Sequence, residues 1–118
     1  MSIPNPNAKI NFDLINPFTG DDPELKKQLI TAFLTEFETF RTHLKALPTD
    51  EEFLNFRKVN HSISPSLQMM GLDTLIQLIE EYKACYINDR EKLNEKTEQL
   101  TEMVQKMIDY TKEWISAH

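Results

Sequence analysis

From residue 29 onward, apolar side chains recur at intervals of three and four, the period of helices that bury one face. Leu29, Phe33, Phe37, Phe40, Leu44 and Leu47 form the first stripe. It opens at Asp22, an N-cap followed by Pro23 at the first helical position and Glu24 beside the positive helix end, and it closes at Pro48. Thr49 with Glu52 three residues on reads as a capping box. The helix it starts turns Phe53, Phe56, Ile63, Leu67 and Met70 inward and stops at Gly71, as a left-handed cap does. Asp73 opens a third helix with Leu75, Ile76, Ile79, Tyr82 and Tyr86 inward, and Asn88 with Glu91 signals a fourth. That last helix buries Leu93, Leu100, Val104, Met107, Ile108 and Ile115, while its Glu and Lys residues keep the opposite face wet. The predicted spans are 22–47, 49–70, 73–87 and 89–116.

Connections this short force successive helices to lie as antiparallel neighbours. The expected fold is therefore all-α: an antiparallel up-down-up-down four-helix bundle over 22–118. Residues 1–21, with Pro4, Pro6 and Pro17, read as largely irregular. Phe12, Leu14, Ile15 and Phe18 are too apolar for a free tail, so this segment is expected to pack over one end of the bundle.

Composition narrows the function classes. The 118 residues suffice for one core and hence one domain. A net charge of −6 argues against sequence-independent binding of nucleic acid, which needs a basic surface. No run approaches the roughly 18 apolar residues of a membrane span, and the start lacks the pattern of a secretory signal. The single Cys85 has no partner for an internal disulfide, which fits a reducing cytoplasm. The paired Glu-x-x-His elements of di-iron bundles are absent, as are P-loop, dinucleotide and nucleophile-triad patterns, so no metal or cofactor is expected. His43 and His118 read as plain surface residues.

The chemically suggestive stretch is the second helix. His61 sits about 100° around from the apolar stripe, where its ring can meet solvent or a partner. Pro65 stands four residues later, so the His61 carbonyl loses its helical N–H donor. The expectation is a kink beside the histidine, or an interruption that resumes before Leu67.

At these residues the chain resembles the histidine-containing phosphotransfer (HPt) domains of two-component phosphorelays. Gly20-Asp21-Asp22-Pro23-Glu24-Leu25, with Leu29 and Phe33, is similar to the opening of that family's first long helix. His61, Ile63 and Gly71 match its phospho-acceptor spacing, and Leu72, Leu75 and Glu80-Glu81 resemble the family's next helix. The likeness covers roughly residues 14 to 86. The family has Ala before its histidine, Lys three residues after and Gly four after; here Asn60, Ser64 and Pro65 occupy those places. Arg57 and Lys58, one turn before His61, and Lys83, brought level if the helices fold back around Gly71-Leu72, are the candidate replacement cations.

The resemblance implies a cytoplasmic, monomeric phosphocarrier rather than an enzyme. His61 would take a phosphoryl group from the aspartate of a response-regulator receiver domain and pass it to another receiver, downstream of a hybrid histidine kinase. Magnesium would sit on the receiver. Ser62, Ser64 and Gln68 would be polar contacts, and the docking face would carry Leu54, Arg57, Lys58, His61, Pro65 and Gln68. The alternative is a pseudo-HPt or helical adaptor that binds a partner without phosphotransfer, favoured by the absent lysine and glycine.

Overall fold

The computed structural model describes residues 10–118; Pro4 and Pro6, and with them the irregular start expected there, lie outside the described residues. Every element among the described residues is helical. A 3₁₀ turn, Phe12–Ile15, runs into the short helix α1 (Asn16–Thr19). Four longer helices come next: α2 (Pro23–Thr42), α3 (Asp50–Met69), α4 (Asp73–Asn88) and α5 (Leu93–Ala117). Each packs on two others, α5 against α2 and α4, and α3 against the same pair.

The inward residues of α3 are those its periodicity names: Phe53, Phe56, Ile63, Leu67 and Met70 are all buried. In α2 the stripe is shifted slightly, with Ile30, Phe33, Phe37 and Phe40 buried and Leu29 and Leu44 only partly so. Leu78 and Cys85 join the α4 face, and Met103 joins that of α5. Thr97 and Thr111 are buried too, because each hydroxyl donates to the carbonyl four residues back in its own helix, Leu93 and Met107. Rings of Phe40, Phe56 and Tyr82 lie in sequence across the helices, with centroids 5.2 Å and 4.8 Å apart. Phe53 stacks on Tyr86 at 3.7 Å.

Two helix boundaries depart from expectation. α2 ends at Thr42 and not at Leu47, which is 79% exposed. Pro48 steers Leu47 away from helical backbone. The carbonyl of Lys45, beyond the helix end, accepts from the Tyr82 hydroxyl at 2.8 Å. At the start of α5, Asn88 belongs to α4 and no Asn88–Glu91 box forms. Instead Arg90 folds back, donating from Nε to the Tyr86 carbonyl at 3.1 Å with its guanidinium over the Tyr86 ring. A 3₁₀ turn, Arg90–Lys92, then leads into the helix. Asp73 likewise lies within the first turn of α4, whose N-cap Leu72 offers no side-chain bond.

Of the residues described ahead of α2, only some pack on the helices. Ile10, Phe12 and Ile15 are buried, with Phe12 against the rings of Tyr110 and Trp114. Lys26 clamps the turn through Asp13 at 2.7 Å. Leu14 and Phe18, expected to be covered, are 45% and 62% exposed.

Candidate functional site

α3 is held at both ends by its own sequence. The Thr49 hydroxyl accepts from the Glu52 N–H at 3.1 Å, and the Glu52 carboxylate accepts from the Thr49 N–H at 2.9 Å. At the other end Gly71 adopts φ +65°, its N–H donates to the Gln68 carbonyl, and the Leu72 N–H donates to the Leu67 carbonyl. That pattern is a Schellman stop, in which the left-handed residue has no Cβ penalty to meet. Between these caps the helix runs unbroken through Pro65. The expected interruption does not occur, because the ring points to solvent and the Phe53–Met70 stripe anchors the helix on both sides of it.

With regular helical spacing, Leu54, Arg57, Lys58, His61, Pro65 and Gln68 fall on one arc opposite the buried stripe. All six are exposed. His61 stands clear of the core rather than at its edge, and its ring forms no hydrogen bond or ion pair with a described residue. Arg57 and Lys58, one turn before it, also have no ion-pair partner among the described residues. The arc contains no carboxylate, so it is a cationic strip on an otherwise acidic chain.

The other candidates sit to one side. Ser64 is half-buried on the flank of α3 turned toward α4. Lys83 is also half-buried, and its ammonium pairs with Glu80 at 3.2 Å. The Phe53–Tyr86 and Phe56–Tyr82 contacts set the register of α3 against α4, and by that register Lys83 stands nearer the level of Phe56 than of His61. The two remaining histidines are occupied: His43 Nδ1 lies 3.0 Å from the Thr39 carbonyl, and His118 stacks on Trp114 with Nδ1 2.8 Å from its carbonyl.

Beside the arc, on the α2 side, runs a groove lined by Thr35, Glu36, Thr39, Val59, Ser62 and Ile63. Sequence reasoning missed Glu36, since a glutamate among Phe33, Phe37 and Phe40 reads as a solvated position. Among the described residues, no group of three or more His, Cys, Asp or Glu could hold a metal ion. No helix there is long and apolar enough to cross a membrane. Compared with protein-family models, with curated proteins and with solved structures, the chain matches none.

Proposed function

We propose that the chain is a phosphorelay intermediate that carries a phosphoryl group on His61, displayed by an antiparallel up-down-up-down four-helix bundle. The topology is supported by contacts that join helix starts to helix ends: Phe53 with Tyr86, and Lys26 over Trp114. The functional reading rests on one observation. The His61 ring is exposed and unengaged on a rigid helix, with two unpaired cations one turn away.

Chemically, a neutral imidazole nitrogen attacks the phosphorus of a receiver's aspartyl phosphate. The P–N bond forms as the P–O bond to the aspartate breaks, and the carboxylate leaves with the bonding electrons. A second receiver's aspartate reverses the exchange. Arg57 and Lys58 offer charge-assisted hydrogen bonds to the phosphoryl oxygens. The partner supplies magnesium and the acidic pocket, so this chain contributes presentation and local charge. The cytoplasm is the compartment such a relay requires.

Incubation with a phosphorylated receiver domain tests this. The wild type is expected to acquire an acid-labile, alkali-stable label, and His61→Gln none while keeping its helical circular dichroism. Absence of label on the wild type, or acid-stable label on Ser62, Ser64 or Ser66, refutes the proposal. The half-buried Ser64 and the proline at 65 favour the second reading, an adaptor; it predicts receiver binding that His61→Gln leaves intact, without label on either protein.

A further inference from the structure

The groove between α2 and α3 has a volume of about 190 Å³ and is open along the seam of the two helices. Val59 and Ile63 form its apolar wall, Thr35, Thr39 and Ser62 bring hydroxyls, and Glu36 is its one charged group. The Oε2 atom of Glu36 is closed off from solvent and accepts no hydrogen bond. Nor does Glu36 form an ion pair with a described residue. The Thr35 hydroxyl, also lining the groove, donates to the Thr31 carbonyl at 3.4 Å. A carboxylate oxygen held away from water without a donor is unfavourable, and what relieves it is a donor, best a cationic one.

We propose that this groove is the docking site for a lysine or arginine side chain of a partner protein, with Glu36 as its counter-ion. The dimensions suit that occupant. Its volume equals about six waters' share of liquid, enough for one side chain. An aliphatic stem lies along Val59 and Ile63 while the charged head meets Glu36, the division of labour long basic side chains favour. The groove has no second charged group to hold the far end of a free amino acid or similar metabolite, so the side chain comes attached to a larger partner.

This site is independent of the chemistry at His61. Ser62 comes directly after His61 in the chain but lies about 100° further round the helix, on the opposite flank from Arg57 and Ser64. Either proposal can fail while the other stands.

The test is an NMR titration of the full chain with n-butylguanidinium chloride at constant ionic strength, with n-butanol as the uncharged control. Saturable shifts are expected in the amides of 35–39 and 59–63, with none from butanol. Glu36→Gln should weaken binding at least tenfold. Ser62→Leu, which fills the groove from α3 and leaves Glu36 in place, should do the same and carries the comparison if the first variant loses its helical signal. An equal response to butanol, undiminished affinity in both variants, or no saturable shift up to about 100 mM overturns the proposal. So do groove shifts that depend on protein concentration alone, which assign the surface to a second copy of the chain.

Discussion

At the scale of single residues, the proposed phosphotransfer turns on the positions just after the histidine. Ser64 stands one turn after His61 and closer to the core than Arg57 or Lys58, since it is half-buried where they are exposed. A lysine there could stretch its stem along the α4 flank and reach solvent with its ammonium. A hydrogen bond to a charged group contributes about 1.5–3 kcal/mol, and solvent removes much of that on an open face. Ser64→Lys is therefore expected to raise the yield or lifetime of phosphohistidine by about threefold to tenfold, read by quantifying acid-labile label over time. An unchanged or lower yield means that Arg57 and Lys58 already provide the charge, or that the added side chain obstructs the partner.

At the scale of elements, α3 keeps its helix across a residue that opposes it. Proline inside a helix removes one hydrogen bond and crowds the carbonyl four residues back, a cost of about 3 kcal/mol. Here that carbonyl belongs to His61, and the capping box, the Gly71 stop and the buried stripe offset the loss. Pro65 is exposed, so its replacement forfeits little packing. Pro65→Ala is expected to stabilise the protein by about 1–3 kcal/mol, raising the urea midpoint and the Tm by about 4 °C or more. A drop in either measure means that the proline ring supports the helix rather than opposing it.

At the scale of the molecule, the end of the packed helices remote from residues 10–15 is closed by two tyrosines. Tyr82 is buried and donates to the Lys45 carbonyl, and Tyr86 bonds the Asp50 carboxylate. Burial pushes the Tyr82 phenol up to about 12 from the ordinary 10. The hydrogen bond to Asp50 raises that of Tyr86 as well. A phenol raised in the folded state stabilises it fully below the unfolded value, and the contribution fades as pH rises from 10 through the folded value. Urea midpoints are accordingly expected to hold from pH 8 to about 10 and then fall. Tyr82→Phe should flatten the decline while losing about 1 kcal/mol at neutral pH with its hydrogen bond. A decline equally steep in the variant assigns alkaline unfolding to other groups. On the acid side, Lys26 holds the Asp13 carboxyl below its ordinary range, and the Thr49 N–H does the same for Glu52. Those contributions persist above the ordinary carboxylate range and are lost as pH falls; Asp13 is exposed and Glu52 only half-buried, so the loss is small.

Helix type, the Asp22 and Thr49 caps, the Gly71 stop and the inward face of α3 were determined by the sequence alone. Each depends on residues within about one turn of one another, and local sterics and hydrogen bonding decide them. The exposed arc of Leu54, Arg57, Lys58, His61, Pro65 and Gln68 was legible for the same reason, since a helix converts residue number directly into a position on its surface. What only the tertiary structure decided involves partners far apart in the chain. α2 ends at Thr42, and beyond that end the Lys45 carbonyl accepts from the Tyr82 hydroxyl, 37 residues away. α5 starts late because Arg90 turns back onto Tyr86. The Glu36 Oε2 atom is left without solvent or donor beside the α2–α3 groove, while His61 stays exposed on the outer face of α3. Periodicity marks which residues turn inward, but the surface that meets them is set only when the helices pack.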